Sequence, residues 1–225
     1  MAAGATSTSV PGRKLTFGLL AVFLIAVVPS IIVPTLMCRG GEPKLEDLGI
    51  VPPFTLTDER GHVFTEEALR GHPTIVDFVF TRCDTICPVV SARMARMQDK
   101  LLDRRAESVK LLSITVDPAH DTPEKLADYA LKFGARPDKW RFVTGPVDKV
   151  RALVEGPFMN SMINEGLTPS GAPAISHNGY FILVDGDLHI RGIYDSNDIS
   201  RLDELEHHAR FLARTGAGRG YKFGE

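Results

Sequence analysis

The sequence predicts an α/β fold with a mixed sheet, and three observations support this prediction. Short runs rich in β-branched and aromatic residues alternate with helical segments along most of the chain. The last two of these runs flank an Asp185-Gly186 turn, which is typical of an antiparallel hairpin. A final amphipathic segment follows. The order β-α-β-α-β-β-α predicts a sheet covered by helices, and a thioredoxin-like sandwich is the smallest fold of this kind.

The first predicted elements are a strand pair, a buried strand and a helix. Residues 54–57 and 62–64 flank an Asp-Glu-Arg-Gly turn and are expected to pair. The run TIVDFVF at residues 74–80 has the length and composition of a buried central strand. Apolar residues then recur at helical spacing among charged ones from Met94 to Leu101, which predicts an amphipathic helix.

Further helices and strands follow in alternation. Thr122 is the predicted N-cap of a helix with Pro123 in its first position, and Gly134 is expected to end this helix. Another helix is expected from about residue 148, followed by a long irregular stretch at 156–176. The remaining strands are predicted at 111–116, 140–143, 180–184 and 188–194, and the last helix at 199–214.

The N-terminal region predicts a membrane anchor. Residues 15–38 carry no charge and are mostly aliphatic or aromatic, so a helix of this length spans the ~30 Å hydrocarbon core. Arg13 and Lys14 precede the run, whereas the far flank mixes both signs, which places the N-terminus in the cytoplasm. The predicted order is a cytoplasmic leader (1–14), an anchor (15–38), a linker (39–50), a thioredoxin-like domain (51–215) and a flexible tail (216–225).

This topology predicts a single-pass protein of the bacterial inner membrane with its C-terminal domain in the periplasm. The leader has few arginines, unlike a mitochondrial transit peptide. A cleaved signal peptide is one alternative, but its apolar region is usually shorter and ends at small residues. Lipid modification of Cys38 is another, although Thr35, Leu36 and Met37 are not the small residues that such processing favours.

Composition argues against nucleic-acid binding, against a disordered chain and against a disulfide scaffold. The chain has 26 basic and 28 acidic side chains, a net charge of −2 and no long Lys/Arg run, which argues against nucleic acid as a partner. It has 44% hydrophobic residues, including 12 Phe, which is enough to build a core. The 3 Cys are too few for a disulfide scaffold but sufficient for one chemical site.

Two of these cysteines predict a site. Cys83 and Cys87 follow the predicted central strand at the start of the next helix, and their spacing puts both sulfurs on one side of that helix. The helix N-terminus is expected to favour thiolate over thiol. Such a pair can form a disulfide or bind a soft metal ion. A structural disulfide is the weaker alternative, because closing so short a loop stabilises a fold little.

Four segments together carry a resemblance to a known family: TIVDFVFTRCDTICP, SITVDPAHDTPEKLADYA, WRFVTG and SHNGYFILVDGDLHIRGIYD. They resemble the SCO/SenC family of thioredoxin-fold proteins, which help to assemble the copper site of cytochrome c oxidase. The resemblance spans residues 54–212 and implies copper ligation by Cys83, Cys87 and His177. It departs from the family pattern at Asp84, where Pro is common after the first Cys, and at Asn178, where Ser is usual.

Reasoning from the residues supports the same ligands. In a thioredoxin-like layout, the loop entering the strand at Tyr180 approaches the Cys-x-x-x-Cys turn, and His177 lies in that loop. Two thiolates select Cu(I), and an added imidazole also suits Cu(II). Zinc remains the alternative metal, but structural zinc usually has four protein ligands and no fourth is obvious.

The site and the family resemblance together imply two alternative functions. The first is a copper carrier, not an enzyme, whose partner is the copper-site subunit of cytochrome c oxidase or a second copper carrier. The second is a thiol-disulfide oxidoreductase that uses Cys83 and Cys87 as its redox pair to reduce the cysteines of the oxidase copper site. A peroxidase of the peroxiredoxin type is discounted, since such sites place a lone Cys in their turn.

Other candidate residues rank lower. His120 is interpreted as part of a solvated turn, and Asp117 as either a functional carboxylate or the start of an Asp-Pro turn. Met159 and Met162 are able to shield Cu(I) but are more typical of packing. The remaining histidines are predicted to lie in turns or on the surface: His62, His72, His189, His207 and His208.

Overall fold

The computed structural model describes residues 43–83, 86–158, 163–167, 173–176 and 179–216. The chain divides into two units between Pro43 and Lys44, and every helix and strand named below belongs to the second unit. Within the described residues, no helix combines the length and hydropathy needed to cross a bilayer. The predicted anchor at residues 15–38 lies outside the described residues.

The described strands form one large sheet and one hairpin. In chain order they are β1 (Thr55–Asp58), β2 (Val63–Thr65), β3 (Thr74–Val79), β4 (Lys110–Thr115), β5 (Trp140–Thr144), β6 (Ile163–Leu167), β7 (Pro173–Ser176), β8 (Tyr180–Val184) and β9 (Ile190–Asp195). The large sheet has the order β2-β1-β5-β4-β3-β8-β9. Strands β3, β4 and β5 are parallel, while the other neighbours are antiparallel. The predicted mixed sheet is confirmed.

The helices lie where the sequence predicts them. They are α1 (Cys87–Lys100), α2 (Pro123–Lys132), α3 (Val147–Glu155) and α4 (Ile199–Thr215). Thr122 caps α2 as predicted, because its side chain accepts a hydrogen bond from the backbone N–H of Lys125. Gly134 follows α2 with a φ of 65°, a left-handed conformation that suits glycine at a helix end.

The sheet separates two hydrophobic clusters. Strand β3 contributes to both, since alternate side chains of a strand point to opposite faces. Ile75 and Val79 pack with α1, α2 and α4 on one face. Val76 and Phe78 pack with α3 on the other. Because β3 lies between β4 and β8, the turn that follows it begins from the buried interior of the sheet.

The segment before β1 lies along the edge strand β9. The N–H of Leu48 donates to the carbonyl of Ile190 at 3.0 Å, and the N–H of Ile190 donates to the carbonyl of Gly49 at 2.8 Å. Val51 continues this pairing with a 2.9 Å bond to Leu188 and is 1% exposed. The described part of the segment predicted as a linker therefore shields an edge of the sheet.

Two sequence predictions about loops are corrected. The stretch 156–176 is not irregular throughout, because β6 and β7 pair as an antiparallel hairpin. Both strands contain residues of low β propensity, so their composition does not indicate strands. The β8–β9 connection is also longer than the predicted Asp185-Gly186 turn: the N–H of Asp185 donates to the carbonyl of His189, and Leu188 has a φ of 72°.

Candidate metal centre

The two cysteines lie at the carboxyl end of β3. Cys83 belongs to the turn after this strand, and Cys87 is the first residue of α1. Both side chains are thiols. Cys83 is 7% exposed and Cys87 is 0% exposed, and both pack into the cluster formed with α3. Both cysteines are therefore buried, and Cys83 is slightly the more exposed of the two.

A hydrogen bond holds the two cysteines together. The backbone N–H of Cys87 donates to Sγ of Cys83 at 3.3 Å. The prediction that both residues lie on one helix is wrong, since α1 begins at Cys87, with Pro88 in the first turn. The turn nevertheless folds back, so that the Cys83 sulfur accepts one of the otherwise unpaired N–H groups at the helix start.

The electrostatics of Cys87 also differ from the sequence prediction. A side-chain hydrogen bond between the Cys87 thiol and Cys83, together with burial, raises the pKa of the Cys87 thiol well above its usual range. At Cys87 these two effects outweigh the helix N-terminus, which was expected to favour thiolate. A thiol of this kind loses its proton most readily when a metal cation takes the proton's place.

The residue before Cys83 is held by an ion pair. Arg82 donates from Nη2 and Nε to Oδ2 of Asp117, at 2.6 and 3.1 Å. The other carboxylate oxygen of Asp117 lies 3.2 Å from Nδ1 of His120. Asp117 is 7% exposed, whereas the His120 side chain is half exposed. Asp117 is thus an anchor for Arg82, and the prediction of His120 as a solvated turn residue is confirmed.

A second carboxylate holds the same turn, and sequence reasoning missed it. Asp121 accepts hydrogen bonds from the backbone N–H of Thr81, from its hydroxyl and from the hydroxyl of Thr115. Burial raises the pKa of Asp121, and these hydrogen bonds partly offset the effect. The sequence pattern indicates no role for Asp121, which is 0% exposed, and a buried carboxylate requires hydrogen-bond partners.

The third predicted ligand, His177, lies outside the described residues. The chain resumes at Gly179, which is buried against the start of α1: a Cβ on Gly179 would lie 3.2 Å from Ile86 Cδ1 and 3.2 Å from Val90 Cγ2. The carbonyl of Gly179 accepts a 2.9 Å bond from the N–H of Ser196. The backbone entering β8 is therefore fixed beside the residue that precedes Cys87.

The remaining candidates divide into two groups. Cys38, Asp84, Met159, Met162 and Asn178 lie outside the described residues. Among the residues that are described, no group of three or more His, Cys, Asp or Glu side chains is arranged to hold a metal ion. The two cysteines thus need a further ligand from elsewhere for a three-ligand site.

One histidine prediction is wrong. His207 is exposed, but His208 is 9% exposed and its Nδ1 lies 2.7 Å from the hydroxyl of Tyr194. The periodicity of α4 alone did not indicate this face, because the contact depends on a tyrosine of the adjacent strand β9. This contact with Tyr194 holds His208 in the core, so only His207 of the two neighbouring histidines is exposed.

The fold and the site together define a thioredoxin-like protein with a Cys-x-x-x-Cys dithiol at the end of a central strand. Comparison with known proteins then gives the family. The sequence model of SCO1/SenC proteins matches residues 43–212, and the chain belongs to the SCO1/SenC family.

Relatives and solved structures agree with this assignment. The SCO1 protein homolog of Bacillus subtilis (strain 168) is 30% identical over 86% of this chain and 92% of its own length. BsSco, a member of the Sco family of cytochrome c oxidase assembly proteins, superposes with a TM-score of 0.64 at 27% identity, covering 76% of this chain and 98% of BsSco. Arabidopsis thaliana ScoI with copper bound gives a TM-score of 0.64 at 25% identity, covering 74% and 99% respectively.

Proposed function

We propose that this protein binds copper and delivers it to the copper-site subunit of cytochrome c oxidase during assembly. Two relatives support the proposal: Arabidopsis thaliana ScoI has been solved with copper bound, and BsSco belongs to a family of cytochrome c oxidase assembly proteins. In this proposal copper is cargo, held by Cys83, Cys87 and His177 until the recipient takes it.

The observation that carries the proposal is the contact between the cysteines. The 3.3 Å bond from the Cys87 N–H to Cys83 Sγ brings the Cys83 sulfur to the backbone of Cys87 at the start of α1. Paired sulfur ligands are the donor set that Cu(I) prefers. Both residues are also buried, with Cys83 7% and Cys87 0% exposed.

Chain connectivity supports His177 as the third ligand. Two peptide links separate it from Gly179, so its Cα lies no more than about 8 Å from that of Gly179. Gly179 is itself in contact with Ile86, the residue next to Cys87. An imidazole at this position would add to the two sulfurs the nitrogen ligand that suits Cu(II).

The unequal burial of the cysteines fits a carrier. A recipient has access to a bound ion from the side of Cys83, which is the more exposed of the pair. Exchange is then able to start at that sulfur while the enclosed Cys87 retains the ion.

We extend the proposal to the whole chain: residues 15–38 anchor it in the bacterial inner membrane, and residues 51–215 lie in the periplasm, with 1–14, 39–50 and 216–225 as leader, linker and tail.

The alternative function is thiol-disulfide exchange. The same dithiol would reduce a disulfide between the cysteines of the oxidase copper site and would itself become a Cys83–Cys87 disulfide, with Cys83 as the more exposed residue of the redox pair. BsSco has a disulfide switch, which is the specific observation in favour of this alternative. Carrier and reductase differ in their need for an imidazole, because exchange between sulfurs does not require one.

Copper loading of the full chain tests the proposal. The purified protein, solubilised in detergent, is loaded with copper anaerobically, and the bound metal is measured for Cys83→Ala, Cys87→Ala and Cys38→Ala. Either of the first two changes should remove most of the copper, since the chelate formed by the two thiolates is lost. Cys38→Ala is the matched control and should bind as the unmodified protein does. Equal loss in all three variants, or loss only in Cys38→Ala, would contradict the site.

A further inference from the structure

We infer that Asp121 is a positioning residue for the metal centre: its buried carboxylate fixes Thr81, and through Thr81 it sets the position of the Cys83 sulfur. This inference deepens the proposed function and rests on it for the role of copper. The claim about the sulfur's position does not depend on the metal.

The contacts of Asp121 converge on the turn that carries Cys83. The Thr81 hydroxyl donates to Oδ1 at 2.6 Å, and the Thr81 backbone N–H donates to Oδ2 at 3.1 Å. The hydroxyl of Thr115, the last residue of β4, donates to Oδ2 at 2.6 Å. Thr81 lies two residues before Cys83 and 40 residues before Asp121. The carboxylate therefore ties the turn after β3 to the end of the neighbouring strand.

A role in the local helix does not account for Asp121. The N-cap of α2 is the next residue, Thr122, whose side chain accepts the bond from the N–H of Lys125. Asp121 turns away from the helix and is 0% exposed. Burial of a carboxylate is costly unless hydrogen bonds satisfy it, and here the donors come from Thr81 and Thr115.

The two cysteines depend on this arrangement to different degrees. Cys87 is held by α1, which buries Val90 and Met94 in the core. Cys83 lies outside the helix, where its N–H donates to the carbonyl of Phe80 at 3.2 Å and its sulfur accepts the 3.3 Å bond from the Cys87 N–H. Release of Thr81 should therefore allow Cys83 to move while Cys87 stays in place. The distance between the sulfurs, on which chelation depends, would then vary.

The test compares substitutions at both ends of the contact. Asp121→Asn keeps the shape but removes one acceptor oxygen, and Thr81→Val keeps the shape of the side chain but removes the hydroxyl donor. Thr81→Ser keeps the hydroxyl and is the conservative variant expected to restore the contact. Losing partners that orient a metal ligand typically weakens metal binding by about 10- to 100-fold. Asp121→Asn and Thr81→Val should weaken Cu(I) binding in this range, whereas Thr81→Ser should retain most of it.

The matched control is Asp185→Asn. Asp185 is also 0% exposed and accepts bonds from the N–H groups of Asp187 and His189 and from Nε of Arg191. It follows Val184, which pairs with Thr74 at the opposite end of β3 from the cysteines. Asp185→Asn should lower the free energy of unfolding but leave copper binding unchanged. If Asp121→Asn and Thr81→Val weaken copper binding no more than Asp185→Asn does, Asp121 is structural only and the inference is overturned.

A measurement without metal keeps the inference separate from the proposed function. The rate of alkylation of Cys83 by iodoacetamide, determined by mass spectrometry of the full chain, should rise severalfold in Asp121→Asn and Thr81→Val, with Cys87 and Asp185→Asn as references. Unchanged alkylation of Cys83 would overturn the positioning role whether or not copper binds. Faster alkylation of Cys83 in the two variants, together with a lack of copper binding by the unmodified protein, would instead support the positioning role and refute the copper carrier.

Discussion

Gly179 packs against Ile86 so closely that a Cβ on the glycine would lie 3.2 Å from Ile86 Cδ1. This contact joins the start of β8 to the residue before Cys87, across a separation of more than 90 residues in the sequence. It fixes the chain two residues beyond the proposed ligand His177. The close packing of Gly179 therefore contributes to the structure of the proposed metal centre as well as to that of the strand.

Gly179→Ala tests this contact. The added methyl would also approach Val90 Cγ2 at 3.2 Å and Ser196 Oγ at 3.0 Å, and such overpacking costs about 1 kcal/mol or more. Relief of the crowding would shift the chain that leads to His177, so Cu(II) affinity should fall. Denaturant unfolding and copper titration measure the two effects.

Gly61→Ala is the control for Gly179→Ala. Gly61 has a φ of 81° in the β1–β2 turn, and nothing lies within 4 Å of a Cβ there. Its substitution should cost about 1 kcal/mol through backbone strain. Copper affinity should stay the same in this variant. Equal effects of both variants on copper binding would show that position 179 acts only through stability.

The buried carboxyl group of Asp77 should make the stability of the fold depend on pH. It is 0% exposed on β3, accepts a bond from the Ser113 hydroxyl, and its Oδ2 has no hydrogen-bond partner among the described residues. Burial raises its pKa to about 7 from 3.8. Between about pH 4 and pH 7 the unfolded chain therefore binds fewer protons at this site than the folded chain, and the free energy of unfolding falls as pH rises, by roughly 4 kcal/mol in total.

Asp77→Asn should remove that decline, because the amide stays neutral throughout. The variant should gain stability relative to the unmodified protein as pH increases from 4 to 8. Asp187→Asn, in an exposed turn, is the control and should leave the pH profile unchanged. Urea unfolding at several pH values measures the slope, and an unchanged slope in Asp77→Asn would show that Asp77 ionises normally.

Much of the fold was predictable because its signals are local. The run at 74–80 and the Thr122-Pro123 helix start are patterns of neighbouring residues, and the structure confirms both. The contact between Thr81 and Asp121 joins residues 40 positions apart, so no local pattern indicates it. The burial of His208 likewise depends on Tyr194 of another element. The cysteine pair was identified from spacing, but the start of α1 at Cys87 follows from how the turn folds.

Lys139 provides a test of stability remote from the metal centre. Its Nζ donates to the carbonyls of Leu101 and Ala106 at 2.7 and 2.8 Å and lies 3.3 Å from that of Glu107. The residue is 4% exposed. Lys139→Met would leave these carbonyls without their donor, with an expected loss of about 2–4 kcal/mol in the free energy of unfolding.

The control for Lys139→Met is Lys149→Met, at an exposed position of α3, which should change stability by less than about 0.5 kcal/mol. Lys139 precedes β5, at the end of the sheet away from the cysteines. Copper affinity of the folded protein should therefore be unchanged in both variants. A loss of copper affinity in Lys139→Met would show that the two ends of the sheet are coupled.

His177→Ala separates the copper carrier from the thiol reductase. If copper is held by two thiolates and this imidazole, the variant should bind Cu(II) much more weakly and shift its thiolate-to-copper absorption. Cu(I) should be affected less, because two sulfurs satisfy it. Thiol-disulfide exchange should persist, since Cys83 and Cys87 are unchanged. His62→Ala, at an exposed turn far along the chain, is the control and should alter neither activity.

The functional measurement is oxidase assembly at limiting copper. If His177→Ala supports assembly as well as the unmodified protein while Cys83→Ala and Cys87→Ala abolish it, the protein acts as a reductase and the carrier proposal fails.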